Sequence, residues 1–151
     1  MELAKDSRVR VRARAAILTA TASALAAHRV ATLPDIAASA GVSRTTLHRY
    51  FADRETLIYE SILDSTCILA ETVDEAALEQ GSTAEAMRRL ITALFSIPDR
   101  VLFLFVDRVS LRNMPEGFND DFLIRLIERG DTTEHSIPIL TPGGSGTRYT
   151  A

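Results

Sequence analysis

Apolar residues recur every three or four positions along most of the chain, and short breaks of proline, glycine or serine divide the pattern. The first stretch is ambiguous at its start. Arg8-Val-Arg-Val-Arg-Ala-Arg14 alternates like a strand, but the alanine-rich run to Ala27 has high helix propensity and sets Ile17, Leu18 and Leu25 on a buried stripe. A helix over about 8–28 is predicted, with four arginines spread around its first two turns. Thr32-Leu-Pro-Asp35 then has the form of a capping box, with a proline in the first turn where no N–H is needed. It opens a short second helix, Leu33 to about Ala40. Gly41 ends that helix because the chain must leave through positive φ. Ser43 caps a third helix, about Arg44 to Tyr50.

Asp53 caps a fourth helix, and Glu55 in its first turn suits the macrodipole. Leu57, Ile58, Ile62, Leu63, Ile68, Leu69 and Val73 carry its stripe to about Leu78, before Gln80-Gly-Ser82 breaks it. Ser82 with Glu85 makes a second capping box and opens a fifth helix to about Ser96. Pro98 begins a sixth, to about Leu111, with an almost continuously apolar face. A loop at 113–117 precedes a seventh, about Asn119 to Arg129, which Gly130 is expected to end. Residues 131–151 carry two prolines and three glycines without helical period and are predicted to be irregular. The expected fold class is all-α: a three-helix unit in 1–52, a helical body in 53–130 and an irregular tail in 131–151.

Composition adds limits. With 46% hydrophobic and 25% charged residues, the chain has the make-up of a soluble globular protein. Its longest apolar run, Val101 to Val106, is about a third of the roughly 18 residues a membrane helix needs. The N-terminus lacks the pattern of a secretory signal. Cys67 is the single cysteine, so no internal disulfide forms and a reducing, cytoplasmic address is expected. Charge is unevenly divided. Residues 1–50 hold eight Lys/Arg against three acids, net +5, whereas the rest holds nine against seventeen, net −8. The basic third would attract a polyanion and the acidic body would not.

A short helix, a glycine turn and a second short helix have the form of a helix-turn-helix. Ile36, Ala37, Ala40, Val42, Leu47 and Phe51 fall where the helices must face each other and the first helix. Arg44, Thr45, Thr46, His48, Arg49 and Tyr50 are left on the outer surface of the second helix, the one that enters a major groove in such units. Alone, His48 would read as an ordinary surface histidine, and Arg8, Arg10, Arg12 and Arg14 as either a solvated helix end or phosphate contacts. His28 and His135 have no metal-ligand spacing with each other or with Cys67. No nucleophile motif or phosphate-binding glycine loop is present, and the glycines at 143–146 follow no strand and open no helix. No catalytic residue, metal or cofactor is expected.

The segment TLPDIAASAGVSRTTLHRYFADRETLIYESI, residues 32–62, resembles the DNA-binding segment of the TetR family of bacterial transcriptional regulators. Agreement falls at Thr32, Ile36, Ala37, Ala40, Gly41, Val42, Ser43, Thr46, Leu47, Tyr50, Phe51, Arg54, Glu55 and Leu57. Thr45 departs from the usual glycine, alanine or proline, and His48 from the usual tyrosine. The resemblance implies that Thr32, Thr46, Tyr50 and Arg54 hold the DNA backbone and that Arg44, Thr45 and His48 approach bases; Arg49, exposed on the same helix, is counted with the DNA-binding residues. Hydroxyls can bond phosphate without reading sequence, whereas arginine can pair bidentately with guanine and a threonine methyl can pack on thymine.

The same resemblance implies a ligand-binding and dimerisation body. Its pocket would lie among the fifth to seventh helices, with Met87, Leu94, Phe95, Phe103, Leu104, Phe118 and Phe122 as walls. Ordinary core packing is the competing reading for each. The implied protein is a homodimeric repressor on a palindromic double-stranded operator, released by a small-molecule effector and not associated with a membrane. Family members continue through two further long helices where this chain has residues 131–151, so a C-terminally shortened body is expected. The alternative reading is a truncated remnant or interaction protein that folds but dimerises poorly and does not repress.

Overall fold

A computed structural model of the chain describes residues 2–106 and 121–134. Among these residues there are seven helices and no strand: α1 Glu2–Ala27, α2 Leu33–Ser39, α3 Arg44–Tyr50, α4 Arg54–Glu75, α5 Thr83–Ser96, α6 Pro98–Val106 and α7 Asp121–Glu134. The all-α expectation holds. α1 starts at Glu2, ahead of the expected start near residue 8, because the arginine-valine alternation is absorbed into the helix that the following alanines propagate.

α1 is the spine, packing against α2, α4 and α6. Around its middle, Ile17 and Leu18 bury against Ile36, Ala37, Leu47, Phe51 and Leu57 and close the three-helix unit onto the start of α4. Further along, Ala22 and Leu25 meet Ile62, Leu69, Phe103 and Leu104, which joins the same helix to the body. One continuous helix therefore belongs to both cores. Three of the hydroxyls buried along this seam are satisfied locally, Thr21 donating to the Ile17 carbonyl, Ser61 to Leu57 and Thr66 to Ile62 at 2.7–2.8 Å.

α4 ends at Glu75, earlier than its apolar pattern suggests, and Ala77 takes a positive φ of 48° just beyond. Arg89 of α5 accounts for the early stop. Its guanidinium donates to the carbonyls of Ala76 (2.8 Å), Ala77 (2.9 Å) and Gln80 (2.6 Å), and Arg129 of α7 donates to Leu78 at 2.5 Å. Carbonyls that more helix would have used are thus taken by cations placed at the negative end of the helix dipole.

The seventh helix departs from expectation. It runs through Gly130 to Glu134, so 131–134 are helical where a tail was predicted, and 135–151 lie outside the described residues. Gly130 is not a stop. A Cβ there would stand 3.3 Å from Thr83 Cγ2, so the glycine marks a close approach of α7 to the start of α5. The expected extension of α6 to about Leu111 and the loop at 113–117 also lie outside the described residues.

Candidate nucleic-acid interface

The reading unit is built by its caps. Thr32 Oγ1 accepts from Asp35 N–H, and Asp35 Oδ2 accepts from both Thr32 N–H (2.7 Å) and Thr32 Oγ1 (2.6 Å), completing the box that starts α2. These donors hold the Asp35 carboxyl below the usual carboxylate range, the Thr32 hydroxyl contributing most. At the other end, Val42 N–H donates to the Ala37 carbonyl (3.0 Å) and Gly41 N–H to Ala38 (3.1 Å), a Schellman turn with Gly41 at φ 66°. Ser43 then caps α3, accepting from Thr46 N–H at 3.0 Å.

This local chemistry orients α3 on two anchors. Leu47 and Phe51 are each 1% exposed, with Val42 and Tyr50 packed at the margin of the same core. Arg44, Thr45, His48 and Arg49 are all exposed on the remaining surface. Among the described residues no carboxylate pairs with Arg44 or Arg49, and the ion pairs there are Arg14–Glu60 and Arg100–Asp64. A cationic, hydrogen-bonding surface is held outward by a fully buried back, which suits contact with base edges in a groove.

The four positions expected to hold phosphate are placed differently from one another. Thr46 is half-buried, its hydroxyl 2.9 Å from that of Ser43, and Tyr50 is half-buried beside the core. Both donors of Thr32 are spent on Asp35. Arg54 Nη1 donates to the Ala31 carbonyl at 2.6 Å, tying the start of α4 to the α1–α2 connection. Arg54 and Thr32 therefore have structural work of their own. Sequence reasoning places Ser43 as the cap of α3 but missed the contact between its hydroxyl and that of Thr46. It also missed Arg14, whose guanidinium lies 5.4 Å from the centre of the Phe51 ring and pairs with Glu60. No local pattern announces a contact between residues so far apart in sequence.

The described residues among the expected pocket walls fall into two groups. Leu94, Phe103 and Leu104 come together in the α1–α4–α6 core. Phe95 is 77% exposed and Met87 36%, so both face outward, away from that cluster. Phe118 and the side chain of Phe122 lie outside the described residues. A cleft of about 390 Å³ opens between α4 and α5, lined by Thr72, Glu75, Arg88, Arg89, Thr92 and Ser96 among others. Another, of about 680 Å³, lies between α1 and the first half of α4. None of the expected walls lines either cleft. Among the described residues no cluster of His, Cys, Asp and Glu could hold a metal, and no helix is long and apolar enough to cross a membrane.

A buried-back, cationic-front helix after a glycine turn defines a helix-turn-helix regulator, and known proteins agree. The profile of the bacterial regulatory proteins, tetR family, matches residues 17–60. The HTH-type transcriptional repressor LfrR of Mycolicibacterium smegmatis is 30% identical over 138 residues, covering 88% of this chain and 72% of that protein. The HTH-type transcriptional regulator NfxB of Pseudomonas aeruginosa is 31% identical over 88 residues, covering 58% of this chain and 47% of its own length. The crystal structure of LfrR from Mycobacterium smegmatis superposes with a TM-score of 0.69 at 23% identity, covering 86% of this chain and 89% of that one. LfrR in complex with proflavine gives 0.65 at 29% identity, covering 78% and 71%. The chain belongs to the TetR family and is a DNA-binding transcriptional regulator, in a family of regulators and not of enzymes.

Proposed function

We propose that the chain is a sequence-specific repressor that binds a palindromic operator as a homodimer. Residues 1–52 form its reading unit and 53–130 its body. Arg44, Thr45 and His48 meet base edges, Arg49 borders them, and Thr46 and Tyr50 meet phosphate, with Thr32 and Arg54 beside them. The observation that carries this reading is the division of α3 between buried Leu47 and Phe51 and exposed Arg44, Thr45, His48 and Arg49. Dimerisation follows from what a single short helix can cover. One unit reads one half-site, and two half-sites about 34–36 Å apart are needed for a stable complex of this kind. The repressor sense is supported by similarity to LfrR, a repressor by name.

Release by a small molecule is part of the same proposal. LfrR has been solved in complex with proflavine, and the body here shares its fold. The test is selection of bound duplexes from a random DNA pool by the full chain, with the mass of the protein–DNA complex measured alongside. Enrichment of an inverted repeat bound by two copies is expected. No enrichment, or a strict monomer on a single half-site, would overturn the reading.

A further inference from the structure

The face of α1 that packs on the reading unit changes character where the protein surface is reached. Ile17, Leu18 and Thr21 bury along it. One and two turns earlier the same stripe holds Arg14 and Arg10, since positions 10, 14, 17, 18 and 21 share one side of a helix of about 3.6 residues per turn. Arg14 closes the core, lying over Phe51, which caps the end of α3, and pairing with Glu60. Beyond it the helix projects free. None of residues 7–16 is buried, a length of roughly 15 Å, or the rise of about four base pairs.

The composition of this projection is unusual for a solvated helix end. Residues 7–16 contain four arginines and no acid; Asp6 stands four residues before Arg10 and Arg14 pairs with Glu60, whereas Arg8 faces Arg12 at the i, i+4 spacing where like charges oppose helix formation. Among the described side chains no carboxylate pairs with Arg8 or Arg12. A polyanion would relieve that repulsion, and the projection departs from the very end of the reading helix.

We infer that Arg8 and Arg12, one turn apart on the same side of this projection, form a second DNA contact, holding the phosphate backbone of duplex that flanks the bases covered by α3. This rests on the DNA-reading role of α3 proposed above. Contact is to phosphate and not to base edges, so it adds affinity and length of footprint without adding sequence preference.

The test uses the full chain and an operator selected from a random pool, made in two lengths, trimmed to the inverted repeat or extended by several base pairs on each side. R8Q/R12Q is expected to bind the extended duplex at least tenfold more weakly than the parent chain. The slope of log affinity against log salt should flatten by about 0.9 for each phosphate that is no longer neutralised. On the trimmed duplex the two proteins should bind alike, and R8K/R12K should restore binding to the extended one. Circular dichroism checks that α1 still forms. If R8Q/R12Q matches the parent in affinity and salt slope while Arg44→Ala still alters sequence preference, the second contact does not exist and the reading helix stands. If the parent selects no DNA, both proposals fall together. Loss of binding to anionic lipid vesicles with DNA binding unchanged would assign the stripe to a membrane surface and overturn the inference.

Discussion

Arg100 Nη1 donates to Asp64 Oδ2 at 2.6 Å, and through its other nitrogen the same guanidinium reaches Thr19 Oγ1 at 2.9 Å. A third bond runs to Ser65 Oγ at 3.1 Å. One side chain of α6 is thus fixed to both α4 and α1, and α1 in turn carries the core beneath the reading helix. Arg100 is 13% exposed and Asp64 28%, so the pair is neither a loose surface contact nor fully desolvated. A double-mutant cycle with Arg100→Met and Asp64→Asn should give a coupling of about 1–2 kcal/mol in urea melts, above the roughly 0.2–1 kcal/mol of an exposed pair. Additive single mutants would show that the clamp does not hold in solution.

Gly41 owes its place to its backbone and not to crowding. Its φ is 66°, yet a Cβ built there meets nothing within 4 Å. Gly41→Ala should therefore cost about 1–2 kcal/mol by conformational strain alone. Gly41→Asn should cost less, because asparagine visits the left-handed region more readily. Equal losses for the two variants in chemical denaturation would point to a contact that this geometry does not contain.

Acid stability should depend on the helix caps. Asp53 accepts from Thr56 in the first turn it caps, whereas Asp35 and Glu85 stand in first turns and accept from the capping residues Thr32 and Ser82, and these bonds lower all three pKa values. A carboxylate with a depressed folded-state pKa stabilises the fold above its unfolded value, and that contribution is lost as pH falls through the folded value. The contribution is therefore complete at neutral pH and disappears below the ordinary carboxylate range. Melting temperature measured from pH 6 to pH 2 should fall most steeply below about pH 4. The fall should be shallower in Asp35→Asn, which starts lower. Parallel curves for the two proteins would remove Asp35 from the account.

Phe95 and Leu104 separate core from surface in the body. Leu104 is completely buried against α1 and α4, whereas Phe95 is 77% exposed. Leu104→Ala should cost about 2–5 kcal/mol, and Phe95→Ala should stay within about 0.5 kcal/mol. Thermal melts decide between this placement and one in which both side chains line a shared cavity. A large destabilisation by Phe95→Ala would favour the shared cavity.

The reading unit is legible in the sequence because each of its steps is local. Thr32 and Asp35, Gly41, and Ser43 with Thr46 act within a few residues of one another, and all sit where the pattern places them. The body is legible only as helices. Where α4 stops is decided by Arg89 and Arg129, which arrive from α5 and α7, so its apolar stripe overstates its length. Gly130 misleads for the same reason: a glycine that admits Thr83 looks, in sequence, like one that ends a helix. Met87 and Phe95 show the limit for sites. Their apolar character suggests a pocket, but which side of α5 faces inward is set by packing against α4 and α7.

Arg44 and Arg54 allow the two kinds of DNA contact to be told apart. Arg44 is exposed at the start of α3 and makes no ion pair among the described residues, so Arg44→Ala should leave stability within about 0.5 kcal/mol. If it reads a base, that variant should lose discrimination at one position of each half-site by about 1–3 kcal/mol and bind scrambled duplex much as before. Arg54 differs because its guanidinium also holds the Ala31 carbonyl at 2.6 Å. Arg54→Ala should weaken binding to every sequence alike and also lower the melting temperature, since a carbonyl is deprived of a charged donor, a change of about 1–3 kcal/mol. Titrations of each variant against operator and scrambled duplexes, paired with melts, resolve the two effects. Uniform weakening by Arg44→Ala, with discrimination kept, would move Arg44 from the bases to the backbone and leave Thr45 and His48 to carry the sequence reading.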